Sequence, residues 1–178
     1  MKKLTTICFL VFLVLFASSC KNEKSLQSYL VESSGKDGFF SGDLPVGSIL
    51  SAKVDVSDEV KETLKSIKKI NVAFLRKTAD NTTAYETEKA ILKNIFTSDA
   101  YNSLGSVKAK GMNVKVYFTG NTSSLDEVIV FGYSNDAGVG VARLLGEKMN
   151  PAKVIEMMNS VNLDGNNLES FSAIFKGK

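Results

Sequence analysis

Carboxylates, lysines, tyrosines and serines are the side chains left to do chemistry in a sequence with no histidine and only two cysteines, Cys8 and Cys20. Ser-His-Asp and Cys-His catalysis, the usual zinc spacings and haem attachment are excluded on that inventory. Asp126, Glu127 and Arg143 are the first set to consider, since a hydrolase or transferase without histidine would have to work through carboxylates or lysine. The plainer reading is a structural ion pair between Arg143 and Asp126. Ser33-Ser34-Gly35-Lys36 and Ser66-Ile67-Lys68-Lys69 fit the Ser-x-x-Lys spacing of some serine acylases, but neither is followed by the partner motifs that chemistry uses. Gly138-Val139-Gly140 imitates the start of a dinucleotide fingerprint, yet Arg143 stands where the third glycine belongs, and there is no Walker phosphate loop. Asp164-Gly165-Asn166-Asn167 lacks the ligand spacing of a calcium loop and reads as a turn. No metal or cofactor is expected.

The N-terminus is more informative. Lys2 and Lys3 precede an unbroken apolar run from Ile7 to Ala17, and small residues lead into Cys20. As a helix that run reaches roughly 16 Å, about half of a bilayer core, so it reads as an export signal rather than a span. Ala17-Ser18-Ser19-Cys20 resembles the lipobox of bacterial lipoproteins, in which the thiol is acylated and the chain is cut just before it. Residues 1–19 are then a signal peptide, 20–25 a lipidated tether, and 26–178 a single domain. The alternative is an ordinary signal cut nearby with Cys20 left as a free thiol. Acylation accounts for a cysteine without a disulfide partner, since Cys8 leaves with the signal. Acyl chains such as palmitate would hold the protein to a membrane, two or more giving lasting attachment. Lys21 in place of an aspartate suggests the outer membrane by analogy, at its periplasmic face or at the cell surface. Lys21-Asn22-Glu23 only partly matches a surface-export tag.

Removing residues 1–19 from the 178 leaves 159, and losing Lys2 and Lys3 leaves 20 basic against 19 acidic side chains. Near-neutral charge, with Arg76 and Arg143 the only arginines, argues against nucleic acid as a partner. A domain of that size buries roughly 70% of its unfolded surface, enough for a core without disulfides.

The elements that must position these residues follow from periodicity. Leu26, Tyr29 and Leu30 have helical spacing, stopped by Ser33-Ser34-Gly35, and Phe39 to Leu44 reads as a strand. Ser57 caps a helix to about Lys68, with Val56, Val60, Leu64 and Ile67 inward, followed by a buried strand from Ile70 to Arg76. Thr83 and Glu86 form a capping box for a second helix whose apolar face is Tyr85, Ala90, Ile91, Leu92, Ile95 and Phe96, continuing through Tyr101 and Leu104 to Gly105. Asn113 to Thr119 alternates as a half-exposed strand, Lys115, Tyr117 and Thr119 facing out. Asp126–Tyr133 and Gly138–Leu145 flank Ser134-Asn135-Asp136-Ala137 as a hairpin. With Asn135 and Asp136 as its central pair, Phe131 faces Gly140, Tyr133 faces Gly138, and Arg143 lies opposite Val128 and diagonal to Asp126. Asn150 and Pro151 open a helix with Val154, Ile155, Met158 and Val161 inward, and Leu168 to Phe175 suggests a last short one. The sum is an α+β fold: a mostly antiparallel sheet of about five strands with helices packed mainly on one face.

Ser25-Leu26-Gln27, Leu64 to Val72, Tyr85-Glu86-Thr87-Glu88, Asp126 to Tyr133 and Met149-Asn150-Pro151-Ala152-Lys153 together resemble, in matching order over nearly the whole mature chain, a Bacteroidota lipoprotein family. That family is catalogued as domain of unknown function forty-two fifty-two. The resemblance implies a small exported α/β lipoprotein and brings no activity or catalytic residues. The expectation is a membrane-anchored, non-enzymatic binding or interaction module of the cell envelope, joined to the membrane through lipid on Cys20 and to an unidentified envelope protein or ligand. The alternatives are an envelope hydrolase or transferase working through carboxylates or lysine, and a structural spacer.

Overall fold

Six strands form one sheet in which every neighbouring pair runs antiparallel. The computed structural model describes residues 24–44, 58–109, 111–122, 124–150 and 152–154. Cys20, the Ser57 cap, the Asp164 turn and the helical residues expected after 154 lie outside them.

The chain enters through Ser25, extended at its backbone, whose side chain accepts a hydrogen bond from the Ser28 amide at 3.1 Å and so starts helix α1, Leu26–Ser33. Strand β1, Phe39–Leu44, follows. Helix α2, Asp58–Ser66, passes without a loop into strand β2, Ile67–Arg76, so the expected helix is shorter and Ile67 is buried from the strand. Helix α3, Thr82–Ile95, leads to strands β3 (Asn102–Ala109), β4 (Met112–Asn121), β5 (Ser124–Ser134) and β6 (Gly138–Met149). Asn150 then opens another helical turn, its Oδ1 accepting from the amides of Ala152 and Lys153 as expected of an N-cap.

Strand order is β1-β2-β6-β5-β4-β3. The last four strands are a meander, while β2 pairs with β6, the final strand, and α3 carries the chain from β2 to β3 at the far edge. Alternation divides the sheet into two apolar faces. On one, Ala73, Leu75, Tyr117, Ile129, Phe131, Val139 and Val141 pack against Leu26 and Tyr29 of α1 and Tyr85, Leu92 and Ile95 of α3. On the other, Ile70, Val116, Phe118, Val128 and Leu144 pack with Leu64 of α2 and Val154. The α+β expectation holds, with six strands among the described residues and two of their three helices on one face.

Several local expectations change. The segment from Asn102 to Ala109 is an edge strand instead of a continued helix, because α3 ends at Ile95 and the chain turns back at Phe96 to Ala100. Tyr117 is buried instead of exposed, since α3 crosses the face it points to and Phe96 stacks on its ring at 4.5 Å between centroids. The capping box is absent. Asn81 precedes the helix, accepting from the Thr78 amide and donating to the Arg76 carbonyl, and Glu86 pairs with Lys89. Ala90 is exposed, and Glu88 occupies the buried stripe with Tyr85, Leu92 and Ile95.

The β5–β6 turn has three residues, Asn135-Asp136-Ala137, closed by Gly138 at φ 136°, instead of the two assumed from the sequence. Pairing therefore shifts by one: Phe131 faces Val141, Tyr133 faces Val139, and Gly132 faces Gly140. A one-residue slip exchanges the faces of a strand. Arg143 accordingly lies opposite Ile129, not Val128, and shares its face with Glu127 instead of Asp126.

Candidate functional site

The register decides what the sequence-derived trio can do. Arg143 Nε donates to Glu127 Oε1 at 2.6 Å, the Thr119 hydroxyl donates to Glu127 Oε2 at 2.9 Å, and Arg143 Nη1 donates to Gln27 Oε1 on α1. The Arg143 and Glu127 side chains are 19% and 14% exposed. Asp126 is exposed and makes no hydrogen bond or ion pair among the described residues. Both carboxylate oxygens of Glu127 are thus engaged, and its base function is committed to the fold. The structure brings two of the three residues together as a clamp between α1 and the sheet and leaves the third apart.

A second polar cluster lies beneath α1 and escaped sequence reading. Glu88 is 6% exposed, with Oε1 accepting from Lys36 Nζ at 2.8 Å across the chain from α1. Tyr29, fully buried, sets its ring beside this carboxylate, and neither the Tyr29 hydroxyl nor Glu88 Oε2 makes a regular hydrogen bond among the described residues. Burial first, then the Glu88 charge, holds the Tyr29 hydroxyl far above the ordinary tyrosine range. The Ser33-x-x-Lys36 spacing has no chemistry here, because Ser33 Oγ donates to the Tyr29 carbonyl at 2.7 Å while Lys36 faces Glu88. In the other pair, Lys69 is joined to Asp43 at 2.9 Å. The signal for Glu88 was its position, three residues after Tyr85 and four before Leu92 on the inward stripe.

Tyr29 makes a pH prediction. An unfolded chain ionises tyrosine near pH 10 while the folded one keeps this proton, so stability is complete below about pH 10 and declines as pH rises beyond it. Tyr29→Phe should flatten part of that decline, the remainder coming from Tyr85 and Tyr117, which burial also raises. Urea unfolding at pH 9 and pH 11 would show it, and an equal loss in both proteins would refute it.

The third arrangement is on the surface. Lys89 and Lys93, one turn apart on α3, set their ammonium groups over the Tyr133 ring at 6.0 and 4.9 Å from its centroid, and Lys89 and Lys77 flank Tyr85 at 4.8 and 5.4 Å. The Tyr85 hydroxyl is 3.4 Å from Asn135 Oδ1 in the β5–β6 turn. The sheet continues the patch: Lys115 is paired with Phe131, Ser106 with Lys115, Asn113 with Tyr133, and Lys108 with Asn113, all on the face α3 crosses. Lys93, Lys108 and Lys115 are exposed. Glu86, bonded to Lys89 at 2.6 Å, is the one carboxylate in ion-pair contact with these five lysines among the described residues. This surface is cationic, with aromatic and neutral hydrogen-bonding groups interleaved.

No set of three metal-ligating side chains occurs among the described residues, and none of their helices is long and apolar enough to cross a membrane. Sheet, helices and clamps together define a one-sheet α+β domain with a polar clamp at the entry of the chain and a lysine-tyrosine surface toward the β5–β6 turn. The chain belongs to the family described as Domain of unknown function (DUF4252), which matches residues 32–157 and so covers all six strands. No curated protein and no solved structure matches it.

Proposed function

We propose that the protein is an exported Bacteroidota lipoprotein, held in the cell envelope at the outer membrane by acyl chains on Cys20, and that its folded domain is a non-enzymatic binding module. The observation that carries this reading is the apolar run from Ile7 to Ala17 ending in Ala17-Ser18-Ser19-Cys20. The position of α1 supports it: four residues separate Cys20 from the Ser25 cap, a reach of at most about 18 Å. An acyl group on Cys20 would hold the domain close to the bilayer with the start of α1 nearest the lipid. Engagement of Glu127 and Arg143 with each other disfavours the competing hydrolase or transferase. The uncompensated lysines favour binding over a passive spacer, since grouped like charges cost stability unless something answers them.

The mass of the N-terminal peptide from membrane fractions tests the anchor. A peptide beginning at Cys20 and carrying acyl chains is expected, and Cys20→Ala should move the protein out of the lipidated pool, either as uncut precursor or as soluble product. An unmodified Cys20 thiol on the mature protein would overturn the proposal.

A further inference from the structure

We propose that the surface formed by Lys77, Lys89, Lys93, Lys108 and Lys115 around Tyr133 is a docking site for an anionic polysaccharide, one bearing closely spaced carboxylate or phosphate groups on its sugar units. The inference rests on the binding-module reading above and gives its partner a chemical class.

Elsewhere among the described residues five lysines are ion-paired, while Lys65 and Lys148 are not. Lys24 pairs with Glu32, Lys36 with Glu88, Lys61 with Asp58, Lys68 with Glu147, and Lys69 with Asp43. Around Tyr133 unpaired lysines are grouped. Lys77, Lys93, Lys108 and Lys115 have no ion-pair partner among the described residues, and Lys89 shares Glu86 on its own helix. The adjoining turns carry the exposed Asp80 and Asp136, and the turn after α3 the exposed Asp99. Ammonium groups crowded without counter-charge repel one another, and the Tyr133 ring beneath Lys89 and Lys93 offsets that repulsion only in part. An incoming polyanion would supply the missing charge.

The rest of the surface selects a sugar chain. Arginine is absent from it, Arg143 being locked to Glu127 and Arg76 ending β2, so the bidentate fork that reads phosphodiesters or guanine is missing. Lysines instead act as mobile point charges that tolerate irregular spacing. Asn113, Ser106 and Asn135 add neutral donors and acceptors of the kind sugar hydroxyls use, and the half-buried Tyr133 offers an amphipathic ring against which a sugar face can pack. Placement sets the patch apart from the end of the domain nearest the anchor. The Tyr133–Val139 row is four residues along β6 from Arg143, which touches α1 near its start, so the patch lies roughly 13 Å up the sheet from the point where the chain enters.

Full-length lipidated protein in neutral detergent, titrated with polygalacturonate, should bind it and should bind dextran of similar length at least tenfold more weakly. Affinity should fall steeply with salt. The Lys89→Gln, Lys93→Gln, Lys115→Gln triple variant should lose at least tenfold, and its unchanged melting midpoint would show that it folds. The Lys65→Gln, Lys68→Gln, Lys148→Gln triple variant, equal charge removed elsewhere, should change binding less than twofold. Absence of binding to polygalacturonate, an equal loss in the two variants, or equal or tighter binding to polyglutamate or to anionic phospholipid vesicles would each overturn the proposal. The N-terminal mass is read on the same sample: acylated Cys20 without glycan binding sinks this inference and leaves the anchored module standing, whereas glycan binding with an unmodified thiol sinks the anchor and leaves this surface.

Discussion

Replacing Phe96 by alanine lowers the unfolding free energy by about 3–5 kcal/mol, against a total of about 5–15 for a domain of this kind. Phe96 is the residue on which α3 ends, and it is 7% exposed. Its ring lies nearly parallel to that of Tyr117, meets Tyr101 edge-on at 5.2 Å, and reaches Phe131 at 5.5 Å. Truncation removes three aromatic contacts at once and opens a cavity where the crossover helix is fastened to β4 and β5. Phe96→Leu, which keeps most of the volume, should cost less than half as much. Urea melts with unchanged slope and a lowered midpoint would record the effect. A loss under about 1 kcal/mol for the alanine variant would mean that this junction is not packed as described.

Gly140→Ala should destabilise by about 3 kcal/mol, the upper part of the overpacking range, although it adds one methyl group. A Cβ at this position would sit 2.5 Å from the Ala73 carbonyl oxygen and 2.8 Å from the Phe74 Cα, both backbone atoms of the paired strand β2. Those atoms can yield only if β2 and β6 move apart. Its cross-strand neighbour is the control. At Gly132 the added Cβ meets only the flexible end of Met112, at 3.2 Å, so Gly132→Ala should stay within about 0.5 kcal/mol of wild type. Thermal melts of the two variants side by side decide it, and equal costs would refute the close approach of β2 to β6.

Much of the architecture was legible because the signals were local. Ser25, the spacing of Leu26 and Tyr29, and the β-branched run after Ile70 each specify their element within a few residues, and α1, β1, β2, β4, β5 and β6 stand where those patterns place them. What failed depended on distance or on counting. Asn102 to Ala109, with Gly105 and four polar residues, has little strand character alone and is a strand because β4 lies beside it. Tyr117 looked solvent-facing because the alternation of β4 cannot show that Phe96 comes down on its other side. One uncounted turn residue, Ala137, exchanged Glu127 for Asp126 as the partner of Arg143. Glu88 was hidden by its own charge, since a carboxylate on an inward stripe makes sense only once Lys36 is seen to reach it. The lysine-tyrosine surface joins α3 to β3, β4 and β5, and no window along the chain contains it.

The insertion of β6 between β2 and β5 governs the order in which the molecule can be assembled. During synthesis, β1 and β2 emerge first and can pair only with each other, their inner edge waiting for a partner some seventy residues downstream. Closing that gap is a non-local event, so folding should be slow and late, completed only after Met149 has appeared. A nascent chain of this design keeps the inner edge of β2 open until β6 has emerged to close it.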